Sequence, residues 1–180
     1  MLEKITINDK IFCKYIDKQE IQQMVKSISM EIEKDFVNEE IYFIAILNGA
    51  FVFAADLIRE IRNRSKIYFI KISSYEGMSS KGSVDYELKL NVNLENKNVI
   101  VLEDIIETGL TIDFLIKEIK EMNPRRLEIA TLLYKPQIFK GNYNIKYIGK
   151  TISQEFIVGY GMDYEQKGRE LENIYILESY

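Results

Sequence analysis

The sequence contains no histidine, no tryptophan and a single cysteine, Cys13. Without histidine, neither a Ser-His-Asp nor a Cys-His triad can be assembled, and a His-ligated zinc site is excluded. Cys13 alone cannot close an intrachain disulfide or supply a four-thiolate zinc site, and it reads as a buried thiol with no catalytic role. Acids and bases of any active site must therefore be carboxylates, lysines or tyrosines, because the side chain that ordinarily titrates near neutral pH is missing.

Long apolar runs are missing as well. The longest, Ile41 to Leu47 and Ala50 to Ala55, fall far short of a membrane span, and the N-terminal residues alternate charge with short apolar stretches, without a secretory apolar core. A cytoplasmic protein with no membrane attachment is expected. Positive charge is not in excess: 24 Lys and Arg stand against 28 Asp and Glu, a formal charge of -4, so broad capture of nucleic acid is disfavoured.

What is present is apolar material, 47% of 180 residues, ample for one domain with one core. Asp17 with Glu20 predicts a helix start, and Ile21, Met24, Val25, Ile28 and Ile32 share a face beyond it. Ile41 to Leu47 reads as a fully buried strand, followed by Asn48-Gly49 and a helical pattern from Phe51 to Ile61. Lys66 to Ser73, Asn98 to Leu102 and Leu127 to Tyr134 read as further strands, and Ile112, Leu115, Ile116 and Ile119 mark a helix between the last two. Alternating strands and helices predict an α/β domain with a mostly parallel sheet. Tyr75 to Ser83 reads as a mobile loop. After Gly141 the pattern turns to short strands and turns, which form a small subdomain capping one end of the sheet.

The richest stretch runs from Val99 to Thr111. An apolar strand leads into Glu103 and Asp104, then Glu107, and Thr108-Gly109-Leu110-Thr111 opens a helix. Ligands of parallel α/β sheets bind beyond the carboxyl ends of the strands, where these acids are expected. Thr108 to Thr111 offers backbone amides and hydroxyls to a phosphate. Acids beside a phosphate repel it unless they hold ribose hydroxyls or a magnesium ion, so the stretch describes a pocket for a phosphorylated sugar with a metal. Gly159 and Gly161 do not make a dinucleotide fingerprint, since Tyr164 stands where its third glycine belongs. On residue type alone, Lys135 at a strand end is expected to be solvated.

Glu103 to Thr111 (EDIIETGLT) resembles the phosphoribosyl-diphosphate signature of the purine phosphoribosyltransferases of hypoxanthine-guanine type. Further blocks follow in that family's order. Leu47-Asn48-Gly49-Ala50 resembles its diphosphate loop and Ser74-Tyr75 its lid. Lys135, after Leu132-Leu133-Tyr134, and Phe156 to Tyr164 with Arg169 resemble its purine and diphosphate blocks.

The resemblance implies a type I phosphoribosyltransferase fold spanning 1–180. Its mostly parallel twisted sheet, flanked by helices, would form a core at about 35–140, with a hood from about 1–16 and 141–180. It implies a Mg2+-dependent transfer from phosphoribosyl diphosphate to hypoxanthine or guanine, in a homodimer or homotetramer. Glu103 and Asp104 would hold the ribose hydroxyls and help place the metal. Thr108, Gly109, Leu110 and Thr111 would cradle the 5'-phosphate. Glu107 would be the general base at purine N7. Asn48, Gly49 and Arg169 would contact diphosphate, and Asp163 would join the metal. Lys135 would donate to the 6-oxo group, Phe156 would stack on the ring, and the Ile157 backbone would read the base edge. Two positions depart from the family: Glu107 stands for its usual aspartate, and Asn48 for a residue that is often basic. The competing expectations are a nucleotide-sensing regulator without catalysis and a different base. Lys135 favours a 6-oxopurine over adenine, because an ammonium only donates hydrogen bonds.

Overall fold

The computed structural model describes residues 3–74 and 84–178; the expected lid residue Tyr75 and the rest of the loop to Ser83 lie outside them. Six strands form the main sheet: β3 (Ile41–Leu47), β4 (Ser65–Ser74), β5 (Val84–Leu88), β6 (Asn98–Ile106), β7 (Arg126–Tyr134) and β8 (Tyr147–Thr151). Their order is β5-β4-β3-β6-β7-β8. All neighbours run parallel except β5, which closes one edge antiparallel to β4.

Both faces of this sheet are covered, which is why β3 and the first half of β6, from Val99 to Leu102, are apolar. On one face, α1 (Lys18–Asp35) and α2 (Phe51–Glu60) pack on Ile41, Phe43, Ala45, Ile100 and Leu102. On the other, α3 (Leu110–Glu121) packs on Tyr42, Ile44, Ile46, Val99 and Val101. The two sets alternate along β3 and β6, as successive strand side chains must. Helix α1 begins where expected: the Asp17 side chain accepts a hydrogen bond from the Glu20 amide at 2.8 Å, and Ile21, Met24, Val25, Ile28 and Ile32 are buried. Each such apolar side chain contributes about 1.5–3 kcal/mol on leaving water.

The order of the sheet reverses between β3 and β6. From β3 the chain crosses through α2 to β4 on one side, while β6 leads through α3 to β7 on the other. At such a switch point the loops beyond the strand ends diverge and leave a crevice.

A second, antiparallel sheet covers that end, in the order β1-β2-β10-β9, from β1 (Lys4–Ile7), β2 (Lys10–Ile16), β9 (Ile157–Val158) and β10 (Ile174–Leu177). Phe12, Val158 and Tyr175 form its buried centre. This is the hood, drawn from both ends of the chain. From the segment 141–180 it takes only β9 and β10, because β8 pairs with β7 in the main sheet. Cys13 on β2 is partly exposed rather than buried. Among the described residues, no helix is long and apolar enough to cross a membrane.

Below the sheet, the Asp35 carboxylate at the end of α1 accepts from Lys146 Nζ at 2.8 Å and from the Tyr147 hydroxyl at 2.9 Å. The ammonium, then the hydroxyl, hold this carboxyl below its ordinary range. With the folded value below the unfolded one, the contribution is present above about pH 4 and fades as pH falls through the folded value. Tyr147→Phe is expected to lower the unfolding free energy by about 1 kcal/mol near neutral pH. Urea titrations across a pH series check this, and the difference from the parent protein narrows in acid.

Candidate active site

The crevice is built around Asp104, where three segments of backbone meet. A side chain on Gly49 would collide with the Asp104 carboxyl, and one on Gly161 would collide with the Gly49 carbonyl oxygen. The loop after β3 and the hood turn at Gly161 therefore approach to a distance that only glycine at 161 permits, while the Asp104 carboxyl lies against Gly49. The Leu47–Asn48 peptide bond leading into this loop is cis.

Glu103 and Asp104 lie within β6 itself, not beyond its end, because the strand continues to Ile106. As strand neighbours, their side chains point to opposite faces. Asp104 is 6% exposed and its Oδ1 accepts from the Ile105 amide at 2.9 Å. Burial pushes its carboxyl up to about 6, helped by the charge of Asp163 and opposed by the Ile105 amide and the nearby Arg169. Burial, followed by the Asp104 charge, raises Glu103 well above the ordinary carboxylate range. The Glu103 Oε2 is shielded from solvent and has no hydrogen-bond partner among the described residues. An orphaned buried acceptor of this kind calls for a ligand that donates or a cation.

Beyond β6, Glu107 to Thr111 wraps a hollow of about 250 Å³ that Glu103 and Asp104 also line. Gly109 precedes α3 in the left-handed region at φ 84°, and no side chain caps that helix. Its first-turn amides are thus free to meet an anion. The loop is backed by two aromatic residues that sequence reasoning missed. The Tyr143 hydroxyl donates to the Gly109 carbonyl at 3.0 Å. A Cβ on Gly109 would lie 2.6 Å from that hydroxyl and 2.7 Å from the Phe139 ring. Nothing periodic marks Phe139 or Tyr143, which lie in a turn-rich stretch after β7.

A second pocket of about 350 Å³ adjoins the first through Asp104, Ile105 and Glu107. It brings together Asn48, Gly49, Lys135, Phe156, Ile157, Asp163 and Arg169. Contrary to the expectation for a lone lysine, Lys135 is 3% exposed. Its ammonium pairs with the Glu107 carboxylate and donates to the Glu155 carbonyl at 2.8 Å. A buried ammonium requires such partners. Phe156 is 44% exposed at the pocket wall, whereas Ile157 is buried and pairs with Ile176 in the hood sheet. Asp163 Oδ1 meets Arg169 at 2.7 Å, and Arg169 also donates to the Gly161 carbonyl at 2.8 Å. Leu110 projects into solvent, 67% exposed. Of the expected lid, Ser74 is the last residue of β4.

Among the described residues, no three acids converge as a ready metal cage. Glu103 faces the first hollow, while Asp163 lines only the second, with Asp104 shared between them. Hard carboxylate oxygens, one of them orphaned, fit a Mg2+ ion that takes most of its ligands from water and substrate oxygens.

A family model described as "Phosphoribosyl transferase domain" matches residues 14–165. The chain is 42% identical over 162 residues to the hypoxanthine phosphoribosyltransferase of Buchnera aphidicola subsp. Schizaphis graminum, covering 88% of this chain and 92% of that protein. It is 38% identical over 165 residues to the hypoxanthine-guanine phosphoribosyltransferase of Staphylococcus epidermidis, covering 91% and 92%. The crystal structure of a hypoxanthine-guanine phosphoribosyltransferase from Bacillus anthracis, with a HEPES molecule in its active site, superposes with a TM-score of 0.86. That match has 43% identity and covers 92% of this chain and 96% of the other.

The glycine contacts differ in kind and so in consequence. A Cβ at Gly49 meets the end of a side chain that can swing away, whereas one at Gly161 meets backbone and sits at φ +99°. Gly161→Ala is expected to cost about 1–3 kcal/mol, several degrees in melting temperature, and Gly49→Ala within about 1 kcal/mol. Thermal unfolding of the two variants beside the parent chain checks the contrast.

Proposed function

The chain belongs to the phosphoribosyltransferase family, in its hypoxanthine-guanine branch, and we propose that it is a purine salvage enzyme. It transfers the 5-phosphoribosyl group from phosphoribosyl diphosphate to hypoxanthine or guanine, giving IMP or GMP and diphosphate. The observation that carries this reading is the adjacency of two hollows. One sits at the start of α3 and suits a phosphate; the other carries a buried ammonium, a carboxylate and an exposed aromatic ring.

In this reading the amides and hydroxyls of Thr108 to Thr111 hold the 5'-phosphate. The orphaned Glu103 oxygen and Asp104 accept from the ribose hydroxyls. Asn48, Gly49 and Arg169 hold the diphosphate. Mg2+ would be held by Glu103 or Asp104 at the first hollow and by Asp104 or Asp163 at the second, largely through water and substrate oxygens, and when bound it would neutralise charge on the departing diphosphate.

The Lys135–Glu107 pair supports a 6-oxopurine as acceptor. The 6-oxo oxygen and the N7 proton lie side by side on the purine edge, an acceptor next to a donor. Lys135 donates to the first and Glu107 accepts the second, so each side chain exchanges its ion-pair partner for a substrate atom. Adenine presents amine hydrogens to Lys135, which has none of the acceptors they need. As the purine nitrogen bonds to the anomeric carbon, positive charge grows on the base, and Glu107 takes the N7 proton. Phe156 stacks on the ring and the Ile157 backbone reads its edge.

The same reading makes residues 1–180 one domain, with a core at about 35–140 extended by β8 and the hood above it, in a cytoplasmic homodimer or homotetramer. Ser74 and Tyr75 belong to the lid that excludes water during transfer.

Purified chain with phosphoribosyl diphosphate and Mg2+ is expected to convert hypoxanthine or guanine to nucleotide, and to leave adenine and uracil unchanged. No product with any base overturns the enzyme reading in favour of a nucleotide-sensing protein. Glu107→Gln is expected to lower kcat by about 10²–10⁴-fold, measured as nucleotide formed at saturating substrate. Full turnover in that variant would remove Glu107 from the role of base.

A further inference from the structure

The hood contains a cluster that reaches the crevice only through its neighbours. Tyr164 follows Asp163 in the chain, and neither it nor Lys10 lines the pocket that Phe156 faces. The Tyr164 ring meets Phe156 edge-on, with centroids 5.9 Å apart and planes at 83°. The fully buried Phe12 of β2 completes a triangle, 6.1 Å from Tyr164 and 6.3 Å from Phe156. Lys10 Nζ lies 4.4 Å from the centroid of the Tyr164 ring and 5.9 Å from that of Phe156.

Polar contacts fix this arrangement. The Tyr164 hydroxyl donates to Asp9 Oδ1 at 2.9 Å. Tyr164 and Lys167 exchange backbone hydrogen bonds at 3.0 and 3.1 Å around Glu165 and Gln166, both at positive φ, 51° and 64°. Two residues without glycine's freedom pay for that conformation unless their surroundings hold it. Here Asn8 Nδ2 donates to Glu165 at 2.7 Å, Lys167 Nζ donates to Asn8 at 2.6 Å, and the Gln166 amide donates to Asp163 Oδ2 at 2.8 Å. The β1–β2 turn thus clasps the turn that carries Tyr164, on the far side of Phe156 from the main sheet's contribution to the pocket.

We propose that Tyr164 and Lys10 are positioning residues for the purine: they fix the Phe156 ring at the pocket wall, and so set the affinity for the base without touching it. The inference rests on the reading of Phe156 as the purine's stacking partner. A half-exposed phenylalanine has its own rotamers to choose from, and an edge-on aromatic neighbour selects among them. The cation over Tyr164 holds that neighbour in turn.

Steady-state kinetics with each substrate varied separately tests this. Tyr164→Ala is expected to raise the KM for hypoxanthine by about three- to tenfold, with kcat and the KM for phosphoribosyl diphosphate within about twofold. Tyr164→Phe, which keeps the ring, is expected to restore the parental purine KM to within about twofold. Lys10→Met is expected to raise the purine KM by about two- to threefold, and it serves should Tyr164→Ala fail to fold. An unchanged purine KM in Tyr164→Ala, or an equal rise for both substrates, overturns the positioning role. Phe156→Ala separates the two layers. If it leaves the purine KM unchanged, the stacking reading itself fails; if it raises that KM while Tyr164→Ala does not, stacking stands and positioning falls.

Discussion

The whole crevice depends on a stack of close contacts over one buried carboxyl. Asp104 sits where the strand order reverses, its carboxyl lies against Gly49, and Gly161 lets the hood turn settle on the Gly49 carbonyl. Parallel pairing of β3 with β6 sets the distance between the strand ends, and the apolar faces of α1, α2 and α3 hold those strands in place. Glu103 and Asp104 therefore stand on a strand packed on both faces, and the loops that complete the crevice are anchored at the ends of such strands.

Electrostatics in the crevice follow from the missing histidines. Proton transfer and charge balance are left to carboxylates, lysine and arginine, groups that become costly when buried. The protein meets that cost by pairing: Lys135 with Glu107, and Arg169 with Asp163. Glu103 and Asp104 are the exceptions: burial raises both carboxyls, and at Asp104 backbone amides and the nearby Arg169 oppose the rise. The carboxyls without an ion-pair partner thus collect in the crevice.

Much of this was legible in the sequence because it is local. Continuous β-branched runs announced β3 and β6, and Asp17 with a helical stripe announced α1. Thr108-Gly109 marked the turn that opens α3. Other features depend on residues far apart in the chain. Lys135 looked solvated because its partners, Glu107 and the Glu155 carbonyl, come from other segments. β8, a short strand in a turn-rich stretch, looked like part of the hood. It joins the main sheet as an edge strand because Gly149 lets it settle against the Leu132 carbonyl and Met24. The bracing of Gly109 by Tyr143 and Phe139, and of Phe156 by Tyr164, has no spacing that a sequence pattern could reveal.

The antiparallel pairing of β2 with β10 bears on how the protein is made. Cys13 pairs with Ile176, about 160 residues away, a closure that entropy makes slow relative to the local βαβ units. During synthesis, β6, α3 and the hollow between them can form while β2 still waits for its partner. Phe156 and Asp163 arrive shortly before β10 on the same late segment. The loop that opens α3 can thus take shape first, and the crevice is completed only when the late segment carrying Phe156 and Asp163 docks with β2.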